Sequence, residues 1–189
     1  MAAPALDRPP GTLYTIGHGT LEPGRLTEIL RSAGVAAVVD VRTAPGSRRH
    51  PAFARAALEE WLPAAGVAYR WEPRLGGFRR PAPDSPNTAL RHEGFRGYAD
   101  HMRTPEFAAA VEQLLVSAAA RRTTVMCAES LWWRCHRRLL ADAVELLERW
   151  PVRHLLHPGG SDAHRPTDGV RVEGDHLVYD AGRPTLGST

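Results

Sequence analysis

The residues with the greatest capacity for chemistry lie in one short stretch of the chain. Both cysteines of the sequence, Cys127 and Cys135, fall within it, and Glu129, His136 and Arg137 accompany them. Thiols, carboxylates and imidazoles serve as nucleophiles and acid/base catalysts, while arginine binds anions. The stretch joins an apolar run to an amphipathic one, and open α/β proteins place their ligands where a strand turns into a helix. The sequence therefore indicates where a site lies without naming a reaction.

Cys127 has two interpretations. At a strand end, a following helix N-terminus and nearby arginines lower a thiol pKa, which favours a nucleophile. A close Glu129 would act in the opposite direction, and a small buried thiol that packs in the sheet is the alternative. A phosphatase-type anion loop does not fit, because the spacing from Cys127 to Arg134 is one residue too long. The bulky Trp132 and Trp133 are also unsuited to a loop whose backbone amides surround an anion.

Residues 135–138, which read Cys-His-Arg-Arg, open a predicted helix. The free amides and positive dipole end of a helix N-terminus bind phosphate or carboxylate, with help from an arginine. Alternatively, Arg137 or Arg138 pairs with an acid of the same helix, such as Asp142 or Glu145. We expect at least one of these arginines to contact an anion, and the pairing alternative stays open.

A metal site would need Cys127, Cys135 and His136, with His18 as a further candidate. Thiolate and imidazole suit zinc, but adjacent Cys-His ligands are awkward and no paired Cys-x-x-Cys spacing is present. The glycine fingerprint of dinucleotide-binding proteins is also incomplete after the first strand. The sequence therefore favours a site with no metal and no cofactor.

The pattern of apolar runs predicts the elements that position these residues. Five strands are expected at 13–16, 36–41, 67–71, 123–127 and 152–157, with amphipathic helices between them. Continuous apolar strands are typical of a parallel sheet that helices cover on both faces. The sequence thus predicts a single doubly wound α/β domain, with a mainly parallel five-stranded sheet in the order 3-2-1-4-5.

The rest of the chain divides into two flanking parts. Residues 1–11 are predicted to be a flexible N-terminal segment and residues 12–160 the α/β domain. Residues 161–189 form a hairpin and tail, because two alternating runs flank Glu173-Gly174-Asp175. The long irregular stretch 72–94 is typical of a binding loop.

In the predicted order the first and fourth strands are neighbours at the switch point. The turn at residues 17–19, the strand end at Asp40 and Arg42, and the strand end at Cys127 and Glu129 then meet at one rim. Asp40 and Arg42 point to the same side of their strand, as a mutual salt bridge or as a base and an anion clamp. The glycine-flanked His18 either faces a ligand or hydrogen-bonds a neighbouring loop.

Four groups of residues occur in a characteristic order. They are Thr15-Ile16-Gly17-His18; Asp40-Val41-Arg42 with Pro45 and Ser47-Arg48; Leu75-Gly76-Gly77; and Cys127-Ala128-Glu129 with Cys135-His136-Arg137-Arg138. In these residues, and in nearly the whole chain through His157, the sequence resembles the DUF488 family of bacterial and archaeal proteins. The resemblance implies a Rossmann-like α/β domain and brings no agreed activity. Gly19 departs from it, since similar proteins commonly have a serine there.

Together, the rim and the family motifs define the expected site. The expected catalytic residues are His18, Asp40, Cys127, Glu129 and His136. The expected substrate- or anion-binding residues are Gly17, Arg42, Arg48, Gly76, Gly77, Cys135 and Arg137.

Composition narrows the function class further. All 24 basic residues are arginine, and the net charge is +3. A GC-rich genome accounts for most of this bias. Arginine is also better suited than lysine to bind phosphate, because its planar guanidinium can donate two parallel hydrogen bonds. A charge this close to neutrality argues against a wide nucleic-acid surface. No membrane span or signal peptide is visible, and two cysteines make no disulfide framework, so we expect a cytoplasmic protein with free thiols.

Arginines and aromatics in the loops suggest a ligand. Arginine-rich segments 48–50 and 79–80 stand near Phe53, Phe78, Trp132 and Trp133 in sequence, and such groups stack on bases. The leading hypothesis is an enzyme that acts on a small anionic, phosphate-bearing or nucleotide-like substrate. The alternative is a non-catalytic module that binds single-stranded nucleic acid or a protein. Nucleic acid is not favoured, no membrane contact is expected, and the oligomeric state stays open.

Overall fold

A computed structural model describes residues 11–46 and 50–181, and every structural statement below concerns these residues. The strands are β1 (Leu13–Gly17), β2 (Ala37–Asp40), β3 (Ala68–Trp71), β4 (Thr123–Cys127), β5 (Val152–Leu155), β6 (Ser161–Ala163), β7 (Val170–Glu173) and β8 (His176–Tyr179). The α-helices are α1 (Pro23–Ser32), α2 (Arg55–Ala64), α3 (Glu93–His101), α4 (Pro105–Ala120) and α5 (Arg137–Leu146). Short 3₁₀ turns occur at Pro51–Phe53, Pro73–Leu75 and Trp132–Arg134.

The helix starts follow from local sequence. Thr104 caps α4, because its hydroxyl oxygen accepts a hydrogen bond from the Phe107 amide at 3.2 Å and Pro105 occupies the first helical position. Helix α5 begins after His136 without a side-chain cap, and its stripe of Leu139, Leu140 and Ala143 is buried. The start of α5 therefore lies near the carboxyl end of β4 without a side chain that caps it.

The main sheet confirms the predicted α/β class. Its strand order is β3-β2-β4-β1-β5-β6, with parallel pairing throughout except for β6, which runs antiparallel to β5. The C-terminal hairpin is also confirmed, as a separate pair of strands β7 and β8. None of the helices in the described ranges is long and apolar enough to cross a membrane.

The position of β4 differs from the predicted order. β4 lies between β2 and β1 rather than outside β1, and a sixth strand extends the edge beyond β5. All five residues of β4 are buried, as expected for a central strand covered on both faces. The long connection through α3 and α4 allows the chain to return to the middle of the sheet. β1 and β4 are still neighbours, as predicted, and Gly17 pairs in register with Cys127.

Two apolar layers hold the sheet. One contains Tyr98, Leu114 and Leu139 from α3, α4 and α5, and the other contains Leu26 and Leu58 from α1 and α2. Helices thus cover both faces, and the carboxyl ends of the central strands open at one edge between the layers.

The long loop before α3 is held by a buried asparagine. The Asn87 side chain is fully buried; its amide nitrogen donates to Asp100 at 2.8 Å and its oxygen accepts from the Tyr179 amide at 3.0 Å. The Asp100 carboxylate also accepts hydrogen bonds from the Ala82 amide and the Ser85 hydroxyl. Asn87 therefore ties the loop to both α3 and the C-terminal hairpin.

Replacement of Asn87 by alanine should lower the free energy of unfolding by about 2–3 kcal/mol, because it leaves buried polar partners without a hydrogen bond. Urea unfolding of Asn87→Ala measures this change. Asp84→Ala, at an exposed position of the same loop, is the matched control and should stay within about 0.5 kcal/mol of the parent. Equal stabilities of the two variants would contradict this role.

Candidate active-site cleft

A cleft of about 590 Å³ lies at the carboxyl ends of β2 and β4. The strand ends, the loop after β3, the start of α3 and the turn before α5 form its walls. The lining residues are Arg42, Thr43, Ala44, Gly77, Phe78, His92, Gly94, Phe95, Cys127, Ala128, Glu129, Trp133, Arg134, Cys135 and His136. This is the position at which open α/β sheets bind ligands.

Two thiols and one imidazole form the floor of the cleft. The His136 Nδ1 atom lies 3.6 Å from the Cys135 sulfur and 3.9 Å from the Cys127 sulfur. All three donor atoms lie within 4.8 Å of one another. Both cysteines are free and buried, and His136 is half-buried. We call Cys127, Cys135 and His136 the thiol–imidazole cluster.

The pKa values of the two thiols in the cluster are shifted in opposite directions. Cys127 hydrogen-bonds the Cys135 sulfur, which holds the pKa of Cys135 well below its usual value; His136 and Arg137 act in the same direction, against burial. The same bond, together with burial, raises the pKa of Cys127 well above its usual value. The more acidic thiol is therefore Cys135 and not Cys127, for which the sequence left a nucleophile and a packing residue as alternatives.

The orientation of the His136 ring is fixed from the far side. Its Nε2–H donates to the Val41 carbonyl at 3.2 Å, which leaves Nδ1 directed at the two sulfurs. Gly77 lies against the same ring, and a Cβ there would come within 3.0 Å of Nδ1. The absence of a side chain at Gly77 therefore lets the loop approach the cluster closely.

Arg137 supports the cluster from behind. Its side chain is only 1% exposed, and its Nε donates to the Cys135 sulfur at 3.4 Å. It also donates to the Thr15 hydroxyl and the Glu129 carbonyl. A Cβ at Gly17 would overlap that carbonyl, so the strand end must be a glycine. Arg137 pairs directly with no acid of its own helix, unlike the alternative weighed from the sequence.

A chain of buried hydrogen bonds extends from Arg137 into the core. The Thr15 hydroxyl lies 2.7 Å from His154 Nδ1, His154 Nε2 lies 3.0 Å from His164 Nδ1, and His164 Nε2 lies 2.8 Å from Asp142. A guanidinium only donates and a carboxylate only accepts, so Arg137 donates to the Thr15 hydroxyl at one end of the chain and His164 Nε2 donates to Asp142 at the other. Two imidazoles thus link the buried guanidinium to a buried carboxylate.

Asp40 and Arg42 form the mutual ion pair that was one of their two interpretations. Arg42 donates to both oxygens of the fully buried Asp40 carboxylate, at 2.8 and 2.6 Å, and to the Phe53 carbonyl. His18 stacks on Phe53 with ring centroids 4.3 Å apart, and burial lowers its pKa to about 4. The Tyr69 hydroxyl donates to Asp40 as well. Asp40 and Phe53 thus hold the Arg42 guanidinium in place at the cleft from behind its surface.

The structure brings six of the expected site residues to the cleft surface, namely Arg42, Gly77, Cys127, Glu129, Cys135 and His136. Five others, Gly17, His18, Asp40, Gly76 and Arg137, are buried behind it. Arg48 lies outside the described residues. Phe95, His92 and Thr43 also line the cleft and were missed, because nothing in their local sequence marks them; only the length of the loop pointed to this region.

At Gly19, where similar proteins commonly have a serine, a neighbouring hydroxyl takes the space. A Cβ at Gly19 would lie 2.1 Å from the Ser130 Oγ atom. Ser130, in the loop after β4, thus occupies the space that a side chain at position 19 would need.

Comparison with known proteins agrees with this description. The model of the family described as "Domain of unknown function DUF488" matches residues 22–144, which is more than half of the chain. The α/β protein with a cleft at the carboxyl ends of its central strands therefore belongs to the DUF488 family. No curated protein matches the chain, and no solved structure matches it either.

The buried histidine chain makes stability depend on pH. Burial, with the neighbouring His164 and Arg137 charges, lowers the pKa of His154 to about 3 from 6.5. Between these values the unfolded chain binds a proton at His154 that the folded protein does not, so stability falls as pH drops. His154 faces His164, Arg137 and the stacked Trp132, with Asp142 one bond further. We expect a loss of roughly 2 kcal/mol between pH 7 and pH 5 from this residue.

Chemical denaturation at both pH values measures the effect. His154→Asn removes the titrating group and should flatten the pH dependence by that amount, even if its stability at pH 7 is lower. His92→Asn, at an exposed position, is the control and should keep the parent slope. An unchanged slope in His154→Asn would show that this ring does not stay neutral in the fold.

Proposed function

We propose that the protein is an enzyme that acts on a small anionic substrate carrying a planar ring, of the nucleotide type, bound in the cleft. The observation that carries this proposal is the convergence of three kinds of group on one cavity: the thiol–imidazole cluster, exposed aromatic rings and an arginine that pairs with no acid among the described residues. A cavity of about 590 Å³ is of the size that small-molecule sites have.

The aromatic rim suits a planar ring. Phe78 is 97% exposed and has a φ of +57°, a conformation that non-glycine residues rarely adopt. Trp133, which also lines the cleft, is 47% exposed. An exposed phenyl ring on a strained backbone gains nothing for folding, and such strain is concentrated at ligand-binding sites. A base or other planar group that stacks on Phe78 would account for the exposed ring and the strained backbone at this position.

Arg134 supports the anionic end of the substrate. It lines the cleft, its side chain is exposed, and it pairs with no carboxylate in the described part of the chain. Arg42, by contrast, is already engaged by Asp40 and Phe53. The N-terminus of α5 begins at the cleft floor, and its partial positive charge favours a phosphate or carboxylate there. Arg134 is therefore the better candidate for direct contact with an anion.

Acid/base groups stand beside these binding groups. Glu129 lines the cleft, and its carboxylate is held by a hydrogen bond from the Leu131 amide at 3.1 Å. His136 lies on the floor with a fixed ring orientation. A carboxylate at the mouth and an imidazole at the base are positioned to move protons on a bound substrate.

Binding is tested by crossing two substitutions with two ligands, inorganic phosphate and adenosine monophosphate, in calorimetric titrations. Phe78→Ala should weaken binding of the mononucleotide by roughly ten- to hundredfold, through lost stacking, and leave phosphate binding unchanged. Arg134→Ala should weaken both ligands by roughly tenfold or more, because a charged hydrogen bond is lost.

Arg121→Ala, an exposed arginine at the opposite end of β4, is the matched control and should bind both ligands as the parent does. Absence of saturable mononucleotide binding by the parent would refute the proposed substrate class. If instead only oligonucleotides bind, with a steep loss of affinity as salt increases, the protein is the non-catalytic module.

Catalysis is tested by incubating the protein with the ligands that bind and following product by mass spectrometry. Glu129→Gln should reduce the turnover rate by roughly 100-fold or more while affinity stays within about threefold, as for the loss of a general acid/base. Glu112→Gln, at an exposed position on α4 away from the cleft, is the control and should retain full turnover. Binding without conversion by the parent protein would rule out the enzyme assignment.

A further inference from the structure

The thiol–imidazole cluster has the dimensions of a metal site. Zinc bonds of about 2.3 Å to sulfur and about 2.0 Å to nitrogen, at tetrahedral angles, put sulfur and nitrogen donors roughly 3.6 Å apart. His136 Nδ1 lies 3.6 Å from one sulfur and 3.9 Å from the other. The sequence argument against a metal was that Cys135 and His136 are adjacent. The geometry removes this objection, because the donor atoms of Cys135 and His136 nevertheless lie within 4.8 Å of each other and of the Cys127 sulfur.

The outer contacts of the cluster are those of a ligand set. Histidines that bind metals donate their other ring N–H to a carbonyl or carboxylate, and His136 Nε2 donates to the Val41 carbonyl. Metal-bound thiolates accept hydrogen bonds; Arg137 Nε donates to Cys135, and the Glu129 amide donates to Cys127. Each of the three donors is thus oriented by a second group.

We propose that Cys127, Cys135 and His136 bind a zinc ion whose fourth position is open to the cleft. Two thiolates and one imidazole are a donor set that zinc prefers, and a site with three protein ligands is typical of catalytic rather than structural zinc. All three residues line the cleft, so the remaining position faces the bound substrate.

This inference deepens the proposed function and rests on it for the nature of the substrate. The zinc would lower the pKa of a bound water to about 7 and so supply a nucleophile at neutral pH. In such a site the oxygen of that water would add to the electrophilic atom of the substrate, and Glu129 would accept one of its protons and deliver that proton to the leaving group. The net reaction is hydrolysis, with no oxidant or reductant required.

Zinc content of the full-length protein tests the inference. The protein is incubated with zinc and a non-thiol reductant, desalted and assayed by elemental mass spectrometry. We expect about one zinc per chain. In competition with a chromogenic chelator, Cys135→Ser and His136→Gln should bind zinc roughly 100-fold or more weakly, since even outer-shell partners contribute about 10–100-fold.

His92→Gln is the matched control, because His92 lines the same cleft without belonging to the cluster. It should keep the parent affinity. Circular dichroism of the metal-free variants checks that they fold. Cobalt substitution gives a readout that depends on the parent protein alone: a tetrahedral visible spectrum with a thiolate charge-transfer band is expected.

A parent protein that retains no zinc, a cobalt complex without the thiolate band, or equal zinc affinity in Cys135→Ser and the parent would each overturn the inference. Adenosine monophosphate titrated into zinc-free protein separates this outcome from the proposed function. Mononucleotide binding without zinc leaves the substrate proposal standing, and zinc binding without any mononucleotide binding leaves the metal site alone.

Discussion

The burial of the Arg137 guanidinium is the constraint on which the rest of the site depends. Arg137 is among the largest fully buried side chains, and its direct partners in the described part of the chain are a hydroxyl, a carbonyl and a sulfur, without a carboxylate. A buried cation is stable only when it is fully hydrogen-bonded and compensated by negative charge. The acidic Cys135 thiol on one side and Asp142, at the end of the hydrogen-bond chain, on the other supply that charge. Reactive residues and fold stability are therefore coupled through one side chain.

This arrangement gives the cleft a floor of buried, hydrogen-bonded side chains and a rim of exposed ones. Arg137 connects β1, the loop after β4 and the start of α5, while the Asp40–Arg42 ion pair braces the end of β2. The rim is formed instead by exposed side chains such as Phe78 and Trp133. The proposed enzyme would need this division, with a fixed floor that positions the reacting groups and exposed rings that bind the substrate.

The sequence predicted the parts of this structure that local patterns encode. Apolar runs give the central strands, and the switch from apolar strand to helix locates Cys127 and Cys135 at one end of the sheet. The insertion of β4 between β2 and β1 was not predictable, because strand order depends on how a long crossover packs and not on any residue within β4. The Asp40–Arg42 pair was visible as an i, i+2 spacing. The chain from Thr15 through His154 and beyond had no signal, since its members are far apart in sequence and meet only in the fold.

The central claim is that Cys127, Cys135 and His136 act as one unit at the floor of the cleft. X-ray absorption at the zinc edge of the zinc-loaded protein tests it most directly, because the spectrum reports the number and type of atoms bound to the metal. The account predicts two sulfur atoms at about 2.3 Å and one imidazole nitrogen at about 2.0 Å, completed by a light atom from solvent. A shell of oxygen and nitrogen alone, or one with a single sulfur, would contradict it.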